Sequence, residues 1–202
     1  MSENRKEEII MATLKLASTI GLKAVSMNMI AEEIGIKKPS LYNHFKSKDE
    51  LVNEMYLFLR NKAQKETQPQ LDYAIFENKS ANQILSCLVK NYIALSNEPY
   101  MQMFYKVIYS ERSISPQAAN IMKTETEKMI EATKQVFIIL ESKKLLKFEN
   151  IKISALSFAL TIHSLVDYML DIGLSKNEEP FKNLDLIDEF TDNFCTEHKF
   201  KE

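Results

Sequence analysis

Glycine is scarce in this sequence, and the position of each glycine limits the fold. The 202 residues include three glycines, Gly21, Gly35 and Gly173. Each follows a segment in which apolar residues recur at three- and four-residue spacing, as on one face of a helix. Glycine ends helices readily because it adopts the left-handed conformation without steric cost. No segment between turn signals shows the alternation of a strand, so the sequence predicts an all-α fold.

Start and stop signals divide the chain into helices and two domains. Ser47-Lys-Asp-Glu50 has the spacing of a capping box, and the polar segment Lys65–Gln70 predicts a linker. We therefore predict an N-terminal domain over residues 1–48, a linking helix over residues 47–64, and a larger helical domain over residues 65–202. The predicted helices cover about residues 4–20, 26–34, 37–45, 47–64, 80–97, 100–110, 115–143, 150–172 and 183–195.

The segment Ser26–Lys48, SMNMIAEEIGIKKPSLYNHFKSK, predicts two short helices joined by a glycine turn, which is a helix-turn-helix. Leu41 and Phe45 are four residues apart and face inward in the second helix. That spacing leaves polar and aromatic side chains on the outer surface or at its leading edge: Lys37, Lys38, Ser40, Tyr42, Asn43 and His44.

The charge distribution is uneven. Residues 1–48 contain eight bases and five acids, a net charge of +3, whereas the remaining 18 bases and 23 acids give residues 49–202 a net charge of −5. A basic N-terminal segment in an otherwise acidic chain is typical of a segment that binds the phosphates of nucleic acid, although chance alone can produce a difference of this size.

Several classes of protein lack support in the sequence. There is no glycine-rich phosphate loop, nucleophile elbow or HExxH motif, so we expect neither an enzyme nor a bound cofactor. Three separated histidines predict no metal site, and Cys87 and Cys195 are expected to be buried free thiols. The charged N-terminus and the short uncharged run Ile153–Val166 predict a soluble, cytoplasmic protein that does not enter a membrane.

The segment KKPSLYNHFKSKDEL, in register with Gly21, Ser26 and Gly35, resembles the N-terminal DNA-binding domain of the TetR family of bacterial transcription regulators. The resemblance covers about residues 5–60. It implies a homodimeric repressor that binds double-stranded operator DNA and is released by an unknown, largely apolar small molecule. The DNA-contacting positions that it implies are Ser26, Lys37, Lys38, Pro39, Ser40, Tyr42, Asn43, His44 and Lys48.

The chemistry of these side chains suits the implied roles. Ser26, Tyr42, His44 and Lys48 can bind phosphate, which gives affinity without sequence selectivity. Lys37, Lys38 and Ser40 lie where base edges can be reached, and Pro39 can pack against a thymine methyl. The role of Asn43 is left open.

The C-terminal domain resembles the family only in length, helical content and helix order, so its sites rest on apolar patterns. The helix at 150–172 is too apolar to be covered by the remaining helices of one chain. Together with the last helix it is predicted to form half of a four-helix dimer interface, although the central helix of a monomer core has the same pattern. The candidate interface residues are Leu156, Leu160, Leu165, Ile187, Phe190 and Phe194.

A methionine- and aromatic-rich set on the middle helices predicts an adaptable ligand pocket, with ordinary core as the alternative. Its members are Tyr92, Met101, Phe104, Tyr105, Met122, Met129, Phe137 and His163. His163 and Asp167, four residues apart, suit a hydrogen-bonded pair, a ligand anchor or a polar contact in the dimer. The alternative function is a helical interaction or ligand-binding protein whose helix-turn-helix is not used for DNA.

Overall fold

The computed structural model describes residues 2–67 and 77–200, and the side chains of residues 4–62 and 77–200. Within those ranges the chain forms nine helices and no strand, which confirms the predicted all-α fold. The helices are α1 (Ser2–Ile20), α2 (Met27–Glu33), α3 (Lys38–His44), α4 (Lys48–Thr67), α5 (Ala81–Ser96), α6 (Pro99–Glu111), α7 (Pro116–Ser142), α8 (Ile151–Lys176) and α9 (Asp185–Glu197).

Side chains cap several helices at the predicted starts. The hydroxyl oxygen of Ser26 accepts a hydrogen bond from the backbone N–H of Met29 at 3.2 Å, and Asn150 caps α8 in the same way. Ser80 and Gln83 form a reciprocal box at the start of α5, with bonds of 3.2 and 2.9 Å. Each cap satisfies a backbone donor that the helix itself leaves unpaired.

The described helices pack into two compact units. One unit takes in Met1–Pro69 and Leu95–Met122, and the other takes in Gln70–Ala94 and Lys123–Glu202. These units are discontinuous in sequence, whereas the sequence predicts a single boundary near residue 65. The linking helix continues to Thr67, past its predicted end at residue 64, and the rest of the predicted linker lies outside the described residues.

The first unit has one apolar core, to which α1, α2, α3, α4 and α6 contribute. The salt bridge between Lys15 and Glu33, 2.7 Å long, joins α1 to α2. The ring of Tyr56 is buried and packs edge-on against Phe104 with 6.0 Å between centroids. Burial, with a smaller contribution from the carboxylate of Glu111, raises the pKa of Tyr56 to about 12. The largest fully buried side chains here include Ile9, Leu14, Ile30, Leu41, Phe45, Leu51, Met55, Leu59 and Ile108.

The second unit is organised around stacked aromatic rings. Phe137 is fully buried, with its centroid 4.6 Å from that of Phe148 and 5.4 Å from that of Phe194. Cys195 is buried beside them, and burial raises the pKa of its thiol to about 11. Cys87, by contrast, is half-buried, so the expectation of two buried thiols holds for Cys195 alone.

Gly173 does not end a helix, which corrects the prediction. Helix α8 continues through it to Lys176, and Asn177 ends the helix in the left-handed conformation at φ 53°. The physical reason for glycine is space, because a Cβ at Gly173 would lie 2.7 Å from the Cα of Pro180. Gly21 and Gly35 do have positive φ, as expected of glycines that follow helices.

We expect Gly173→Ala to lower the free energy of unfolding, because the contact with the backbone of Pro180 forces the chain to shift. Overpacking lowers the free energy of unfolding by about 1–3 kcal/mol, and the higher helix propensity of alanine offsets up to ~1 kcal/mol of that loss. Urea unfolding followed by circular dichroism at one protein concentration measures the change. Ser175→Ala, an exposed site on the same helix, is the control, and equal stability of the two variants would contradict this account.

Candidate nucleic-acid interface

Two buried side chains hold α3 against the first unit. Leu41 and Phe45 are both 0% exposed, and Phe45 directly follows the last residue of the helix. Pro39 lies in the first turn, where its missing N–H costs no hydrogen bond. With one side of α3 fixed in the core, the opposite side faces solvent. The exposed residues on it and at its leading edge are Lys37, Lys38, Pro39, Ser40, Tyr42 and Asn43, and His44 is half-buried.

The glycine turn between α2 and α3 sets the direction of α3. Gly35 has φ +68°, and its N–H donates to the carbonyl of Glu32 at 3.1 Å. The N–H of Ile36 reaches back to the carbonyl of Ala31 at 2.9 Å. These bonds satisfy carbonyls at the end of α2 and close the turn tightly. The chain therefore has the helix-turn-helix that its sequence predicts.

Positive charge is concentrated around Tyr42. The ammonium of Lys38 lies 6.0 Å from the centre of the Tyr42 ring, and that of Lys46 lies 3.4 Å from the Tyr42 carbonyl oxygen. Lys46 was not among the predicted DNA-contacting positions, although its place directly after Phe45, close to the other lysines, is a signal visible in the sequence. An exposed surface of ammonium and hydroxyl groups is suited to phosphate and to base edges.

The junction between α3 and α4 departs from the predicted capping box. The hydroxyl oxygen of Ser47 accepts from the N–H of Glu50 at 3.1 Å, as expected. The carboxylate of Glu50, however, accepts from the N–H of Lys46 at 2.6 Å rather than from that of Ser47. The box therefore extends one residue further back and fixes the residues that follow α3.

Lys48 has partners inside the protein. Its ammonium donates to the carbonyl oxygen of Leu22 at 2.6 Å and lies 3.4 Å from that of Lys23. Ser26, by comparison, uses its oxygen as a helix cap and keeps a hydroxyl proton to donate. Of the nine predicted DNA-contacting positions, Lys48 is thus the one whose charged group is engaged by backbone carbonyls.

The predicted ligand set is divided between the two units. Met101, Phe104 and Met122 are buried in the core of the first unit, together with half-buried Tyr105, whereas Phe137 is buried in the second. Met129 is half-buried on α7. The set therefore contributes mainly to two packed cores, and the pocket it predicts remains a proposal.

Two members of that set do meet in the second unit. The hydroxyl of Tyr92 on α5 lies 2.8 Å from Nδ1 of His163 on α8. Nε2 of His163 lies 3.8 Å from the carboxylate of Asp167. His163 therefore hydrogen-bonds to Tyr92, and its contact with Asp167, the predicted partner, is longer. Sequence spacing could not reveal a partner 71 residues away.

The predicted dimer residues divide into exposed and buried groups. Leu156 and Leu160 on α8 are 36% and 39% exposed. Leu165 and Phe190 are half-buried. Ile187 and Phe194 are 2% and 7% exposed, because they pack in the core of their own chain, and this corrects their assignment to an interface.

Exposed apolar residues that the sequence reasoning missed extend the surface formed by Leu156 and Leu160. Ile153 and Tyr168 lie on the same side of α8, and Leu186 is exposed at the start of α9. By length and composition α8 could also cross a membrane, a property that core helices of soluble proteins share. Among the described residues, no group of three histidine, cysteine or acidic side chains could hold a metal ion.

Comparison with known proteins addresses the helix-turn-helix directly. Residues 9–55 match the model of the family described as bacterial regulatory proteins, tetR family. This segment of the chain is similar to the DNA-binding domain of the TetR family. The matched segment runs from α1 into α4 and includes every DNA-contacting position that the sequence predicts.

Individual relatives are similar to this chain over part of its length. The chain is 32% identical over 77 residues to the uncharacterized HTH-type transcriptional regulator YhgD of Bacillus subtilis, which is 36% of this chain and 40% of the relative. It is 38% identical over 52 residues to the HTH-type transcriptional repressor KstR2 of Mycolicibacterium smegmatis, 26% of this chain and 25% of the relative. The chain thus matches about a quarter to two-fifths of the length of these curated relatives.

A solved structure extends the likeness to the whole fold. The TetR transcriptional regulator from Legionella pneumophila superimposes with a TM-score of 0.64 at 25% identity, covering 93% of this chain and 95% of that one. Both the helix-turn-helix and the larger helical part of the chain therefore follow the TetR-family fold.

We expect Ser47→Ala to destabilise the protein by about 1 kcal/mol, because the N–H of Glu50 loses its cap. Thermal unfolding with a fixed protein concentration checks this. Ser40→Ala is the matched control, because Ser40 is exposed on α3 and surface substitutions usually change stability by under ~0.5 kcal/mol. A smaller loss for Ser47→Ala than for Ser40→Ala would contradict the capping role.

Proposed function

We propose that this protein is a sequence-specific DNA-binding transcription regulator that reads an operator with α3. The observation that carries the proposal is the division of α3 into two sides. Leu41 and Phe45 are fully buried, while the residues between and before them present ammonium, hydroxyl and aromatic groups to solvent. A helix of this kind fits the major groove and can reach base edges with its N-terminal residues.

The contacts are proposed to divide by position along the helix-turn-helix. Lys37, Lys38 and Ser40 stand at the leading end of α3 and are proposed to select bases, with Pro39 against a thymine methyl. Phosphate contacts hold the protein in register on the duplex. Their proposed donors are Ser26, Tyr42, His44 and Lys46, and Asn43 lies between the two groups on the exposed surface.

The regulator is proposed to act as a homodimer on a near-palindromic operator. Support comes from the exposed apolar side of α8, where Ile153, Leu156, Leu160 and Tyr168 recur at helical spacing. Contiguous exposed apolar surface of this kind marks interaction sites on soluble proteins. A second copy would cover the surface without a membrane, in agreement with a soluble, cytoplasmic protein.

Repression with release by a small, largely apolar effector completes the proposal. The Mycolicibacterium relative is named as a repressor. In the second unit, Met129 and Phe137 of α7 belong to the methionine- and aromatic-rich set expected of an adaptable apolar site. The hydrogen-bonded side chains of Tyr92 and His163 supply polar groups to orient such a molecule.

DNA binding is tested with the duplex immediately upstream of the gene, by fluorescence anisotropy. We expect Tyr42→Phe to weaken every bound operator by about 1 kcal/mol per subunit, because a neutral phosphate hydrogen bond is lost. Lys38→Ala should instead change the ranking among operators that differ at one base pair. Lys152→Ala, an exposed lysine on α8, is the control. Unchanged affinity and ranking in the first two variants would contradict the assignment of α3.

Dimerisation is tested by sedimentation at micromolar concentration. We expect Leu156→Asp to convert the dimer to a monomer, because a buried unpaired carboxylate costs several kcal/mol. Ile114→Asp is the matched control, since Ile114 is 72% exposed in the first unit, away from α8 in sequence. A monomeric wild-type protein, or a dimer that tolerates Leu156→Asp, would overturn this interface.

A further inference from the structure

Lys48 occupies an unusual position for a lysine at the start of a helix. It is the first residue of α4, yet its side chain is half-buried and points back to an earlier part of the chain. Its ammonium donates to the carbonyl of Leu22 at 2.6 Å and contacts that of Lys23 at 3.4 Å. Hydrogen bonds from a charged donor are shorter and stronger than those between neutral groups.

The two carbonyls belong to the turn between α1 and α2. Gly21 ends α1 with φ +82°, and the N–H of Ala24 closes the turn on the Gly21 carbonyl at 3.2 Å. Leu22 and Lys23 are the middle residues of this turn, so their carbonyls lie outside any helix. The chain then continues through buried Val25 to Ser26, the cap of α2. The turn therefore determines where α2 begins.

We propose that Lys48 is a positioning residue that ties the start of α4 to the turn between α1 and α2. The backbone on the other side of Lys48 is already fixed, because Ser47 and Glu50 cap the junction with α3. The ammonium thus joins both ends of the helix-turn-helix, the residues before α2 and the residues after α3. The proposal rests on the proposed function in one respect, namely that this geometry serves DNA binding.

This role differs from a phosphate contact in what it predicts. A lysine that neutralises a phosphate releases counterions, so its removal makes the negative slope of log affinity against log salt shallower by about 0.9 per contact. A positioning lysine instead orders the helix-turn-helix in the free protein. Its removal weakens binding while leaving the slope unchanged, and it loosens the turn in the free protein.

Amide hydrogen exchange of the full chain without DNA gives the first readout. We expect exchange across residues 21–26 to accelerate by about tenfold or more in Lys48→Met, which keeps the aliphatic stem but removes the charged donor. Lys46→Met is the matched control, because Lys46 is exposed at the same junction and should leave the turn unchanged. Lys48→Arg retains donors for the two carbonyls and should restore protection.

The salt dependence of operator binding gives the second readout. For Lys48→Met we expect roughly tenfold weaker binding at each salt concentration with the slope of the wild-type protein. Unchanged exchange in the turn, a reduced slope, or loss of protection in Lys48→Arg would each overturn the proposal. If Lys48→Met does not fold, Lys48→Gln, which keeps a weaker neutral donor, replaces it, and the same acceleration of exchange in the turn is expected in smaller degree. Absence of DNA binding by the wild-type protein would refute the proposed function, whereas the exchange result would still decide the role of Lys48.

Discussion

The burial of Leu41 and Phe45 is the interaction on which the functional surface depends. Helix α3 has seven residues, and a helix of that length is unstable alone because nucleation is costly. Removing each apolar side chain from water contributes about 1.5–3 kcal/mol, which a short exposed helix could not gain by itself. The core of the first unit therefore holds α3 in place and frees its other side for recognition.

Local bonds at both ends of α3 turn that anchoring into a defined orientation. Before α3, Gly35 lets the chain turn while carbonyls at the end of α2 accept hydrogen bonds. After α3, Glu50 reaches back to Lys46 and Ser47 caps α4. Recognition of DNA requires side chains to be held within a fraction of an ångström of their partners, which backbone bonds achieve better than flexible side chains.

Sequence alone predicted the N-terminal third well because its signals are local. Caps, glycine turns and the four-residue spacing of Leu41 and Phe45 act over a few residues, and the structure shows them where they were expected. The contacts of the larger domain are harder to predict, because periodicity shows which side of a helix is apolar but not which residues pack against that side. Ile187 and Phe194 were assigned to a dimer interface and are instead buried within the chain. Gly173 resembled a helix end, and only the packed chain shows Pro180 against it.

The long-range polar contacts could not be predicted from spacing. The partners of Lys48 lie 25 and 26 residues away, and that of His163 lies 71 residues away, so each depends on the completed fold. The position of Lys48 in the sequence, beside the helix-turn-helix, suggests a phosphate contact. In the structure its ammonium instead lies against carbonyl oxygens. The proposed DNA-binding surface accordingly rests on α3 and its exposed neighbours.

Selection of bound duplexes from a random DNA library by the intact protein tests whether α3 reads an operator. We expect enrichment of one near-palindromic sequence with half-sites about one or more helical turns apart, ~34 Å or a multiple of it. We also expect that replacing Lys38 changes the enriched bases. Recovery of DNA with no common sequence, or of the same sequence after Lys38 is replaced together with Lys37 and Ser40, would contradict the reading of an operator by α3.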